Sequence, residues 1–160
     1  MVDNLTKKLS CGIVFVNSKS QVLMLHPMDQ RHWDIPKGTK NTEETESEAA
    51  IRETREETGI VVDPSALLDL SWFEYNKYKD LWLFITKMPD IELDQLYCTS
   101  FFTNEDGKEG PEADSFELVD LSEFEERACY SMQRIFRDGG LKRDIEDFVA
   151  DNFKSSSNHE

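Results

Sequence analysis

The chain is poor in the residues that build several common kinds of site. Its three cysteines, Cys11, Cys98 and Cys129, are widely spaced and odd in number, which excludes a disulfide framework and a cysteine-based zinc site. They read as buried, reduced thiols of a cytoplasmic protein. No long apolar run is present, so no segment reads as a membrane span. The opening MVDNLTKKLS is polar and has neither a secretory core nor a transit peptide. Positive charge is scarce: 18 Lys and Arg stand against 33 Asp and Glu, a net charge of -15. That balance argues against a protein that coats DNA or lies on a membrane. A nucleophile-elbow sequence and a phosphate-loop motif are also missing, so neither a serine nucleophile nor a P-loop mechanism is indicated.

What the 160 residues do contain is 38 % hydrophobic and 11 % aromatic side chains, enough to bury a core despite the charge. Strands are predicted over Leu9 to Val16 and Gln21 to Leu25, around the turn Asn17-Ser18-Lys19-Ser20. Pro36 and Gly38 bracket Lys37 and make Met28 to Lys37 a loop. Thr45 with Glu48 three residues later is a capping box, and Gly59 is a natural helix stop. Strand-like stretches follow at Val61-Val62, Leu67 to Tyr75 and Leu81 to Met88, then Tyr97 to Thr103 and Ser115 to Leu121. Asn104 to Asp114 reads as a loop. Ser122 to Arg137 and Leu141 to Phe153 read as amphipathic helices broken at Gly139-Gly140. This order predicts a mixed α+β domain over 1–154, with 155–160 as a disordered tail.

The most informative helix is acidic. Glu53, Glu56 and Glu57 recur at i, i+3 and i+4 and so share one face. Such carboxylates repel and raise one another's pKa unless a cation neutralises them. Their oxygens suit a hard octahedral ion, Mg²⁺ or Mn²⁺, that keeps several waters and binds phosphates. Arg52 sits beside them and can fix one carboxylate through a bidentate contact. A solvated helix face laced with Glu-to-Arg pairs is the competing reading.

The flanking residues decide between them. Gly38 is followed after five residues by Glu44, after seven more by Arg52-Glu53, after two by Glu56-Glu57, and after one by Gly59 and apolar Ile60. Seven fixed residues at average usage would match by chance on the order of once in 10^8 windows. The array resembles the Nudix box, and the chain resembles the Nudix hydrolase superfamily. Thr54 departs from it, standing where the family has an aliphatic residue and bringing a hydroxyl that needs a partner.

The resemblance implies a mixed β-sheet sandwiched between α-helices and a loop-helix-loop whose glutamates bind divalent ions while water attacks phosphorus. Carried onto this chain, Glu53 and Glu57 are the primary metal ligands, and Glu56 is a ligand or the general base. The Lys37 backbone carbonyl is a further ligand, and Arg52 supports the catalytic set. Trp33-Asp34-Ile35-Pro36-Lys37-Gly38 resembles the lead-in to the box of diadenosine tetraphosphate hydrolases, in which many relatives have Gly in place of Lys37. Lys37 and Gly38 are accordingly expected at the substrate, with Tyr78 and Lys79 from a later turn; either Tyr78 or nearby Tyr75 is expected to stack on a base or bind phosphate. Glu112-Ala113-Asp114-Ser115-Phe116 resembles a further subfamily stretch, making Glu112 an extra metal ligand and Phe116 a base-stacking aromatic. Leu118 stands where that subfamily has Trp, and Tyr97 to Pro111 reads as an insertion. The expected partner is a nucleotide, first a dinucleoside polyphosphate. A pyrophosphohydrolase of RNA 5′ ends or nucleoside triphosphates, or a nucleotide-sensing domain without catalysis, remain as alternatives.

Overall fold

A computed structural model describes residues 7–103, 107 and 109–153; the expected tail 155–160 lies outside the described residues, as do 104–106 and 108 in the loop after Thr103. Strand β1 (Lys8–Val16) is the axis of the main sheet. It runs parallel to β5 (Lys79–Lys87) along its whole length and antiparallel to β2 (Gln21–Pro27) only at Val16↔Val22. The order is β4-β5-β1-β2-β8, with β4 over Leu68–Glu74 and β8 over Ala113–Asp120. A short strand β3 (Lys37–Thr39) lies against Ser10 to Gly12 of β1. The sheet therefore splits, β2 following one end of β1 and β3 the other. β6 (Phe101–Thr103) and β7 (Glu109–Pro111) form a separate ribbon.

The strand period of two assigns the two faces of β1. Cys11, Ile13 and Phe15 pack with Ala49 and Ala50 of helix α1 (Glu46–Thr58). Val14 and Val16 pack on the other face with Phe124, Met132, Ile135, Leu141 and Ile145. These come from α2 (Leu121–Arg127), α3 (Tyr130–Asp138) and α4 (Leu141–Phe153). A mixed sheet between helices, the expected α+β architecture, results. Burial pushes the Cys11 thiol up to about 12, and all three cysteines are free. Among the described residues no helix is long and apolar enough to cross a membrane.

Several sequence expectations are corrected. Lys37 to Thr39 is a strand rather than loop, because the open edge of β1 supplies hydrogen-bond partners that local propensity does not see. Val61-Val62 forms no strand; Val62 instead packs under α1. Only the end of Tyr97 to Thr103 is extended into a ladder. The helix expected over Ser122 to Arg137 is two helices, interrupted where the Arg127 carbonyl accepts from Trp33 N–H (2.9 Å) and Trp33 bridges to Ala128.

Candidate active site

The site assembles where β3 meets α1. The Thr45 side chain accepts from Glu48 N–H while the Glu48 side chain accepts from Thr45 N–H, so the capping box starts the helix. Gly59 ends it in the left-handed conformation (φ 83°), with its N–H donating to the Arg55 carbonyl. The ring of Tyr97 lies so near Gly59 that a Cβ there would meet it at 2.7 Å. The chain after Tyr97 straps this helix end: Tyr97 N–H donates to the Thr58 carbonyl (3.1 Å) and Thr99 N–H to the Glu56 carbonyl (2.7 Å). That strap satisfies carbonyls a helix end leaves open.

Between these anchors, Glu53, Glu56 and Glu57 face one cleft of about 340 Å³, which Lys37, Gly38, Thr39, Lys79, Ser100 and Glu112 also line. Arg52 is its organiser. Its guanidinium bonds both oxygens of Glu44, donates to Glu53 Oε2 (3.0 Å) and the Thr39 carbonyl (3.0 Å), and reaches Glu56 Oε1 (3.4 Å). Glu44, the second acid of the spaced array, is held below the usual carboxylate range by that contact. The planar fork joins helix, strand and preceding loop in one network, as a lysine could not.

Glu57 is only 9 % exposed, and its Oε1 accepts from Lys37 N–H at 2.9 Å. Burial drives its pKa up to about 9; the Lys37 N–H opposes the rise, and neighbouring Glu53 adds to it. Burial also raises Glu53, against the pull of Arg52, with Glu56 and Glu112 adding repulsion. Among the described residues no three Asp, Glu, His or Cys side chains stand close enough together to hold a metal ion by themselves. The set nonetheless suits a cation that keeps much of its water: two carboxylates are partly desolvated without full compensation, and more acids border the same open cleft.

Glu112 reaches this cleft from the β7–β8 junction, where its N–H donates to the Ser100 carbonyl (2.7 Å) and its carbonyl accepts from Met28 N–H (3.0 Å). The apparent insertion thus both straps α1 and carries Glu112 inward. A second cleft of about 280 Å³ adjoins the first, sharing Lys37, Glu57 and Glu112 and walled by Leu25, Pro27, Met28 and Ile35. Lys37 and Lys79 supply positive charge to the acidic cleft.

Two expected substrate residues are placed elsewhere. Tyr78 is 72 % exposed at the β4–β5 turn, and Phe116 packs against the core cluster under α1; neither lines these clefts. Tyr75, the alternative to Tyr78 in the sequence, is buried beside both lysines.

Comparison with known proteins matches this geometry. The NUDIX domain family matches residues 6–139. A phage T4 protein described as an uncharacterized 17.7 kDa protein in the e-segB intergenic region is 36 % identical, over 81 % of this chain and 93 % of that one. An RNA pyrophosphohydrolase of Ruthia magnifica is 32 % identical over 48 % of this chain and 44 % of its own length, so the match spans less than half of that relative. Among solved structures, a C. elegans Ap4A hydrolase binary complex shares the fold with a TM-score of 0.57 at 24 % identity, covering 88 % of this chain and 98 % of that one. Enzymes of this kind generally use divalent metal ions. With its box residues gathered on β3, α1 and the loop that joins them, the chain belongs to the Nudix family and is a Nudix hydrolase.

Proposed function

We propose that the chain, as one domain over 1–154, hydrolyses a phosphoanhydride bond of a dinucleoside polyphosphate such as diadenosine tetraphosphate, with Mg²⁺ or Mn²⁺ as cofactor. One observation carries this reading: Glu53, Glu56, Glu57 and Glu112 border a single cleft with Lys37 and Lys79. Acids alone would repel a polyphosphate, and lysines alone would hold it without activating water. Together with a divalent ion they fit an in-line displacement.

Glu53 and Glu57 are the primary holders of the ion, with the Lys37 carbonyl and Glu112 as further ligands. When bound, the divalent ion spreads developing charge and lowers the pKa of water. Glu56, least enclosed of the three helix acids, serves as a further ligand or takes the proton from the attacking water. Arg52 holds Glu53 in one rotamer, so the acid is preorganised for its role. Lys37 and Lys79 bind phosphate oxygens, and the backbone at Gly38 admits the substrate. The adjoining, partly apolar cleft offers room beyond the phosphates for part of a nucleoside.

A second reading, removal of pyrophosphate from RNA 5′-triphosphate ends, is favoured by the 32 % identity to an RNA pyrophosphohydrolase across 48 % of the chain. The two are separated by incubating purified protein and Mg²⁺ with diadenosine tetraphosphate, nucleoside triphosphates and 5′-triphosphorylated RNA, then resolving the products. Two mononucleotides from diadenosine tetraphosphate are expected. Pyrophosphate from every triphosphate, with diadenosine tetraphosphate intact, would reject the proposal.

A further inference from the structure

Tyr75 stands at the junction of β4 with the turn to β5, its N–H donating to the Lys79 carbonyl. It is 8 % exposed and belongs to the core cluster on the α2–α4 side. Its hydroxyl lies 3.1 Å from Cys129 Sγ, and Arg134 donates to its carbonyl at 2.6 Å. The ring carries two ammonium groups: Lys37 Nζ lies 5.3 Å from its centroid and Lys79 Nζ 5.7 Å. Both distances lie within reach of a cation–π attraction.

These are also the two lysines of the acidic cleft, and they arrive from different strands, β3 and β5. Two like charges beside one ring repel each other, so the shared aromatic face offsets a real cost. Asp34 holds Lys37 from one side at 3.0 Å, while no ion pair to Lys79 is found among the described residues. Burial of Tyr75 fixes the ring in the core, and a rigid ring fixes where flexible lysine stems end.

We infer that Tyr75 is a positioning residue whose ring gathers Lys37 and Lys79 into a paired cationic seat for one phosphate group of a polyphosphate. The inference rests on the reading of the site as a polyphosphate hydrolase. The role belongs to the aromatic face and not to the hydroxyl. It acts on ground-state binding of the phosphate chain, leaving the glutamates on α1 in place.

The test compares Tyr75→Phe, Tyr75→Leu and Lys79→Met in steady-state hydrolysis of diadenosine tetraphosphate with Mg²⁺, alongside calorimetric binding of inorganic tripolyphosphate. Tyr75→Leu and Lys79→Met are each expected to raise KM by about ten-fold, the scale of a desolvated cation–π contact, with kcat changed far less. Tyr75→Phe keeps KM within about two-fold of the parent. Tripolyphosphate affinity should fall in the same two variants and hold in Tyr75→Phe. Loss in Tyr75→Phe equal to that in Tyr75→Leu, or an unchanged KM in Lys79→Met, would overturn the inference. Should Tyr75→Leu fail to fold, Tyr75→Met, which fills the space without an aromatic face, takes its place with the same expected rise in KM, and an unchanged KM there overturns the inference. If the parent cleaves none of the polyphosphates, the functional reading fails by itself, and tripolyphosphate binding alone judges the seat.

Discussion

The backbone of Gly38 lies against the carboxylate of Glu53 so closely that a Cβ on Gly38 would fall 2.0 Å from Glu53 Cδ and 2.2 Å from its Oε1. The first and fourth fixed residues of the box thus occupy one place, and glycine is demanded there by the acid and not by the local backbone. Gly38→Ala must push Glu53 out of its contact with Arg52. Turnover is expected to fall by about 10² or more, the scale of an ångström-sized misplacement. An unchanged melting temperature beside that loss would locate the effect in the site.

Arg52 joins Glu44, Glu53 and Glu56, so Arg52→Met releases all three. Turnover should drop by about 10². Arg52 lowers the pKa of Glu53 against the effect of burial; without it that pKa rises, and the acidic limb of the pH–rate profile moves to higher pH. A profile of kcat/KM against pH, parent beside variant, reads the direction.

Glu57 titrates near 9 in the metal-free fold because burial disfavours its charge, while its unfolded value is near the ordinary 4.5. Between those values the folded state binds more protons than the unfolded one, so stability falls as pH rises. Melting temperature in chelator should decline from about pH 5 to pH 9, and Glu57→Gln should flatten that decline. Added Mg²⁺ should stabilise the parent most at the high end, where the carboxylate is already ionised.

Thr54 is fully buried, and its Oγ1 has no hydrogen-bond partner among the described residues. The aliphatic residue usual at this place would leave no orphan. Thr54→Val is expected to stabilise the chain by about 1 kcal/mol, a rise of about 2–4 °C in Tm, with turnover unchanged. Differential scanning calorimetry checks it.

Legibility in the sequence followed how local each signal was. Thr45, Glu48 and Gly59 act within a single turn, and the helix bounds they imply are those found. β1 was legible as a short, mostly apolar run ending at a turn, the pattern of a strand buried on both faces. β3 was hidden, since Pro36 and Gly38 look like breakers until β1 provides a ladder for them. The break after Arg127 was hidden too: Phe124, Met132, Ile135 and Phe136 all reach the core, so apolar spacing ran on across it. In the site, the spacing of Glu53, Glu56 and Glu57 placed them on one face. That Tyr75 and not Tyr78 faces the lysines depends on where β4 ends, a boundary set by tertiary pairing.

The most direct measurement is Mn²⁺ binding to the metal-free protein, read by electron paramagnetic resonance, in the parent and in Glu57→Gln. Glu57→Gln is expected to bind Mn²⁺ about ten-fold or more weakly and to lose at least about 10² in turnover, with its fold intact. Equal Mn²⁺ affinity and near-normal turnover in the two proteins would contradict a metal site built on this helix.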